Sequence, residues 1–154
     1  MNKKYSIWGI CFAILLFVLL ITPGLHRQIR LQESKIVPKL AVTAQIKAVP
    51  DGDIKALLAD RTSTTIIFLT PQTVELNQKM AHFIKQHQEL GLTKPIYIFQ
   101  ELYHDAFVDS LKLNQSAINV VQFNGEEMVG NYELTAESGF SQTLIDQLKQ
   151  MAAT

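Results

Sequence analysis

A second cysteine is missing from this chain of 154 residues, whose single cysteine is Cys11. One thiol excludes a disulfide within the chain, and it excludes chemistry that needs two thiols close together. An excess of basic charge is missing too. Lysine and arginine number 14, as do aspartate and glutamate, and beyond Pro23 there are 12 basic and 14 acidic residues. Because a nucleic-acid-binding protein normally shows a basic stripe, we expect no nucleic-acid partner.

Other signatures of catalysis and metal binding are also missing, including a Gly-rich phosphate loop. His82 and His87 are five residues apart, so on a helix they point in different directions and cannot share a metal as i, i+4 pairs do. His104 and Asp105 are adjacent and would not face each other on a helix. Asp109 and Asp105 would form an acidic ridge in water. The sequence therefore predicts no enzyme activity, no metal and no cofactor.

An apolar run near the N-terminus is the first feature that is present. Between Ile7 and Thr22 no residue is charged, and Lys3 and Lys4 precede the run. Its length is slightly below the roughly 20 residues that span a bilayer, but the aromatic residues beside it can complete the crossing. We predict an uncleaved signal anchor over residues 1–23. A cleaved signal peptide is the alternative, although no A-x-A-like site follows closely.

A short linker and one domain follow the apolar run. Residues 24–40 are polar with scattered apolar positions, which predicts a juxtamembrane linker, and residues 41–154 have the regular patterns of a folded domain. The basic residues on the two sides of the run are nearly equal in number, so the positive-inside rule does not fix the orientation. A short N-terminal tail ahead of a globular domain fits an exported domain. We expect a single-pass protein of the cell membrane with its C-terminal domain outside.

Strand and helix patterns alternate along the domain, which indicates an α/β fold. A strand-helix-strand-helix-strand start requires parallel strands with right-handed crossovers, and the pair Asn124-Gly125 predicts an antiparallel hairpin because both residues tolerate positive φ. Either Asp51 or Asp53 is available to cap the first helix. The predicted order is strand-helix-strand-helix-strand-helix-strand-strand-helix, over residues 41–49, 53–60, 64–70, 71–91, 94–100, 102–114, 117–123, 126–133 and 140–151.

That order resembles the thioredoxin fold, a mixed sheet with flanking helices, over about residues 41–151. Thioredoxins have a strand that ends in an aromatic residue, then a short loop, then Cys-x-x-Cys at the start of a long helix. Here Phe68 ends the strand, and the two cysteine positions fall on Thr73 and Leu76. Since neither side chain yields a thiolate, the dithiol reaction of thioredoxins is excluded.

A second stretch, "SAINVVQFNGEEMV", looks like the thioredoxin strand, turn and strand that carry a cis-proline opposite the redox pair. That proline position falls on Ala117 or Ile118, depending on whether Phe123 or the Asn-Gly pair is aligned. A small domain of this kind behind an N-terminal anchor is similar to the bacteriocin transport accessory proteins of Gram-positive bacteria.

The resemblance implies a groove in which extended polypeptide binds through backbone hydrogen bonds and shallow apolar contacts. Its lining would be Thr70, Pro71, Gln72, Thr73, Val74, Ala117 and Ile118. The alternative is that Thr73 only caps the helix and Leu76 only fills the core. We predict a redox-inactive, membrane-anchored module that binds an exported peptide or a partner in an export system. The alternative function is an envelope structural, interaction or immunity-type protein that uses the fold as a spacer.

Overall fold

The computed structural model describes residues 43–87, 89–101 and 104–153. The predicted signal anchor and juxtamembrane linker lie outside this part of the chain. Among the helices that the structure describes, none combines the length and the apolar character needed to cross a bilayer.

A mixed five-stranded sheet forms the centre of the domain. The strands are β1 Ile46–Ala48, β2 Ser63–Leu69, β3 Ile96–Gln100, β4 Ile118–Asn124 and β5 Glu127–Leu134. Their order in the sheet is β1-β3-β2-β4-β5; β3 is parallel to both β1 and β2, and β4 is antiparallel to both β2 and β5. This mixed α/β architecture fits the thioredoxin-like fold that the sequence predicts.

In the part of the chain that the structure describes, four α-helices cover the sheet and divide its core into two clusters. They are α1 Ile54–Ala59, α2 Val74–Gln86, α3 Ala106–Ser110 and α4 Gln142–Ala153. Side chains alternate between the faces of a strand, so Ile67 packs with α2 and α4 while its neighbours Ile66 and Phe68 pack with α1 and α3. The continuous apolar run of β2 is therefore explained by burial on both faces.

Local hydrogen bonds set several element ends that differ from the predicted ones. The first strand begins at Ile46, because the Thr43 hydroxyl accepts hydrogen bonds from the amides of Gln45 and Ile46 and holds a turn there. The third helix is Ala106–Ser110. It starts at Ala106 because Asp105 is extended and its carboxylate caps the helix by accepting hydrogen bonds from two backbone amides.

Two turn predictions are confirmed. Asp53, and not Asp51, caps α1 by accepting a hydrogen bond of 3.1 Å from the Ala56 amide. The predicted hairpin is present, and Gly125 at its tip has φ of 59°, whereas Asn124 is the last residue of β4 and has no positive φ. The β4–β5 register shifts once, between Gln122 and Phe123. That shift marks a bulge, which the sequence does not reveal.

Candidate functional site

The carboxyl ends of two parallel strands meet where thioredoxins have their redox pair. Leu69 at the end of β2 is opposite Gln100 at the end of β3, and the Glu101 amide donates to the Leu69 carbonyl at 3.0 Å. From β2 the chain passes through Thr70 and one 3-10 turn, Pro71–Thr73, into α2. The fixed φ of proline suits the first position of such a turn.

A buried hydrogen-bond network lies under this turn. Its side chains come from Thr70, Thr73 and Asn77, which are 2%, 8% and 9% exposed. The Asn77 side-chain amide donates to the Thr70 carbonyl at 2.8 Å, and the Thr73 hydroxyl lies 3.0 Å from Asn77 Oδ1 and 3.2 Å from the same carbonyl. The two threonine hydroxyls are 3.1 Å apart. The network ties the end of β2 to the first turns of α2.

The atoms around the two hydroxyls decide what chemistry the site can perform. Each hydroxyl has one proton to donate, and Thr70 has the carbonyl of Gln115 as an acceptor at 3.0 Å. Within the described part of the chain, the hydrogen-bond partners of the Thr70 and Thr73 side chains are carbonyl, hydroxyl and amide groups. None of these is a base that could activate a threonine as a nucleophile. The hydroxyls of Thr70 and Thr73 therefore stabilise the turn through hydrogen bonds.

The loop before β4 forms the second side of the site. Asn114 holds this loop, because its side-chain oxygen accepts from the Ser116 amide at 3.0 Å and its carbonyl accepts from the Ala117 amide at 3.2 Å. The hydrogen bond from the Thr70 hydroxyl to the Gln115 carbonyl then joins this loop to the start of α2. The two loops that the resemblance pairs are adjacent in the structure and directly bonded.

The seven predicted groove residues divide into exposed and buried groups. Pro71, Gln72 and Val74 are exposed, and Val74 has 58% of its surface accessible. The buried members are Thr70, Thr73, Ala117 and Ile118. Ala117 and Ile118 have no accessible surface, so they pack in the core and do not face a groove. On the β4 side of the site, Asn114 and Ser116 are exposed.

The alternative reading of the cysteine positions is half correct. Leu76 is 7% exposed and belongs to the core, as that reading expects. Thr73 occupies the N-cap position of α2, but its side chain makes no capping hydrogen bond, and its hydroxyl is engaged with Asn77 and the Thr70 carbonyl. Asn77, the third member of the network, is not among the residues predicted for the site. An asparagine among the apolar positions of α2 was the available signal, since buried polar groups need partners.

A charged cluster lies directly after β3. Glu101 is 8% exposed, and burial raises its pKa; the neighbouring carboxylates of Asp109 and Asp105 raise it further, while the Asp105 backbone amide and His104 lower it. His104 lies 3.4 Å from Asp109, so the imidazole is paired with this residue and not with Asp105 as a sequence neighbour. One ligand atom from each of Glu101, His104 and Asp109 lies within 4.8 Å of the other two, a spacing at which three side chains can hold a metal ion. Among the described residues, no other group of three or more His, Cys, Asp or Glu side chains has this spacing. The His104 side chain is 94% exposed.

Comparisons with known proteins identify no family. No protein-family model matches the chain, and no curated protein matches it. Among solved structures it is similar to the J-Trx1 fragment of ERdj5, with 13% identity and a TM-score of 0.45 over 71% of this chain and 53% of that chain. The chain thus spans about half the length of that fragment. A likeness at this level says nothing about activity, ligand or partner.

Replacing Asn77 with alanine tests the buried network. The change removes the amide that donates to the Thr70 carbonyl and the oxygen near the Thr73 hydroxyl. Because buried polar groups then lose partners, we expect the free energy of unfolding to fall by about 2 kcal/mol. Urea unfolding followed by circular dichroism would measure it. Gln78→Ala, an exposed change on the same helix, should shift stability by less than about 0.5 kcal/mol; equal effects would contradict the network's role.

Replacing Glu101 with glutamine tests the raised pKa. Burial raises the pKa of Glu101 above its ordinary value in the folded protein, so the folded protein holds this proton more tightly than the unfolded chain does. Stability therefore decreases as pH rises from about 4.5 through the folded pKa. Glutamine does not titrate, so the stability of Glu101→Gln relative to wild type should be higher at pH 7 than at pH 4. Urea unfolding at both pH values measures the difference. Glu137→Gln, exposed after β5, serves as the control, and a pH-independent difference for Glu101→Gln would refute the assignment.

Proposed function

We propose that this chain is a redox-inactive module that binds extended polypeptide at the start of α2. The observation that carries the proposal is the exposed surface of Pro71, Gln72 and Val74, which lies on a buried hydrogen-bonded base. Val74 is one of three exposed large apolar residues in the described part of the chain. The loop before β4, which carries the exposed Ser116, is bonded to Thr70 and forms a second side of the surface.

The start of α2 offers backbone donors as well as apolar contact. The first amides of a helix have no partner within the helix, and no side chain at the N-cap position of α2 accepts from them. An extended polypeptide presents carbonyl oxygens that suit these amides. Because the network below fixes the turn, little conformational entropy remains to be lost when a ligand binds. Rigidity thus supports binding at the position where thioredoxins support a reaction.

We further propose the setting of this binding. The resemblance to bacteriocin transport accessory proteins and the predicted anchor favour an exported peptide, or a protein of an export system, as the partner. The N-terminal anchor would hold the module at the cell membrane, with the domain outside. In this role the protein would present or guide a polypeptide and would leave covalent chemistry to other proteins.

A second candidate is an envelope interaction or immunity-type protein that uses the fold as a spacer. One observation favours it. A cleft of about 530 Å³ on the outer side of α2 is lined partly by Phe83, Phe140, His82 and His87. This cleft lies along the body of the helix, so a contact there would not use the surface at Pro71, Gln72 and Val74.

Matched substitutions on α2 separate the two candidates. The probe is a fluorescent, reduced and alkylated unfolded polypeptide, and binding to the purified full-length protein is followed by fluorescence anisotropy. We expect Gln72→Arg combined with Val74→Glu to weaken binding about tenfold, because both substitutions make the surface at the helix start less complementary to the polypeptide. Gln78→Arg, exposed one turn further along, lies on the cleft and should have no effect. Weakening by Gln78→Arg alone would favour the cleft instead.

Thiol labelling tests the predicted orientation. In a Cys11→Ala background, Gln150→Cys places one thiol at an exposed position near the end of α4. A membrane-impermeant maleimide should label this variant in intact cells if the domain is exported, and the Cys11→Ala chain without the new thiol is the control. Labelling only after the cells are permeabilised would place the domain in the cytoplasm and contradict the proposed setting.

A further inference from the structure

The two edges of the sheet are built differently. At one edge, β1 has only three residues and carries an exposed lysine, Lys47. Short length and lysine are two devices by which proteins protect an edge strand against pairing with another chain. At the other edge, β5 has eight residues, more than any other strand of the sheet, and contains neither lysine nor proline. β5 therefore lacks the short length and the lysine that protect β1.

The surface of β5 is apolar and acidic. Met128 and Val129 are 41% and 54% exposed, and they are two of the three exposed large apolar residues in the described part of the chain. Glu126, Glu127 and Glu133 lie in or directly beside the strand and are exposed. From residue 113 to residue 148 the sequence contains five acidic residues and no lysine or arginine. No basic residue of this stretch neutralises the edge.

The acidic charge selects between possible occupants of the edge. If β5 paired with β5 of a second copy, the glutamates of the two strands would be brought together, and like charges on paired strands are destabilising. A strand that carries lysine or arginine would instead gain favourable cross-strand pairs and would meet a complementary potential as it approaches. The charge that prevents self-association thus favours a basic strand.

One glutamate is already held in a fixed position. The Glu133 carboxylate accepts from the Asn114 side chain at 2.8 Å, and Asn131 lies 3.4 Å from its other oxygen. A carboxylate fixed in this way loses less side-chain freedom when a cation binds. Gln122 pairs with Gly130 and Phe123 pairs with Met128, so Val129 is the extra residue of the bulge, and β5 pairs regularly from Gly130 to Leu134.

We propose that β5 is a docking strand for a basic, extended segment of a partner protein, which joins the sheet as a sixth strand. Backbone hydrogen bonds would supply much of the affinity, contact with Met128 and Val129 would add apolar burial, and the glutamates would select lysine or arginine. This surface is separate from the one at Pro71, Gln72 and Val74, and the inference does not rest on the function proposed for that surface.

Titration calorimetry with the purified full-length protein at low salt tests the inference. The probe is an acetylated octapeptide of alternating lysine and valine, and two further peptides serve as controls. One replaces lysine by glutamate, and the other carries N-methyl groups on alternate amides, so that it keeps the charge but cannot pair as a strand. We expect the lysine peptide alone to bind, with protection of β5 amides from hydrogen exchange.

Two double variants locate the binding. Glu126→Gln with Glu127→Gln should weaken binding of the lysine peptide about tenfold. Glu75→Gln with Asp146→Asn makes the same change in net charge on α2 and α4 and should have no effect. Equal weakening by both pairs, equal binding of the N-methylated peptide, or no binding of the lysine peptide would each overturn the proposal. Gln72→Arg should not alter this binding, so the test is independent of the surface at the start of α2.

Discussion

Thr70 makes the hydrogen bonds on which the arrangement of the site depends. Its carbonyl accepts from the backbone amide of Thr73 and from the side chain of Asn77, and its hydroxyl donates to the carbonyl of Gln115. These contacts join β2, the start of α2 and the loop before β4. Each is buried or partly buried, so loss of one partner would leave a polar group without compensation. Thr70 therefore joins the two loops to each other, while Asn114 holds the loop before β4.

The same network explains why the site does not need sulfur to keep its shape. A dithiol site requires a thiolate that is accessible and poorly satisfied, since reactivity depends on a lowered pKa and on access. Here Thr73 is buried and its hydroxyl has oxygen partners on several sides. Satisfied hydroxyl and amide groups stabilise the turn but react with nothing. The network therefore gives the start of α2 a fixed shape, on which the exposed Pro71, Gln72 and Val74 are carried.

The parts of the fold that depend on periodicity could be predicted from the sequence. The alternating burial of Ile66, Ile67 and Phe68 and the positive φ of Gly125 follow from local rules. The late start of the third helix could not be predicted from apolar spacing, because the apolar pattern continues across Asp105. In the structure the Asp105 carboxylate accepts hydrogen bonds from backbone amides of the next turn, and the helix starts after it. Competition between a side chain and the helix is not visible in apolar spacing.

The site was harder to predict than the fold, because its residues are joined by contacts between distant positions. The hydrogen bond from Thr70 to Gln115 spans 45 residues, and no local pattern indicates it. The resemblance predicts Ile118 in the groove. Its burial depends instead on the register of β4 with β2 and β5, which the sequence does not show. Asn77 was recognisable only as a polar residue at a core position. Such exceptions are expected where function or a special backbone path requires them.

The sheet edges show how charge can serve two purposes in one fold. An edge strand must avoid pairing with copies of itself, and charged side chains of either sign oppose such pairing because like charges on paired strands repel. The two choices differ in what they leave possible, because a basic edge accepts an acidic strand and an acidic edge accepts a basic one. Here β1, with three residues, could form only a short ladder with another strand, whereas β5 has eight residues. Length and charge together make β5 the edge that discriminates between partners instead of excluding all of them.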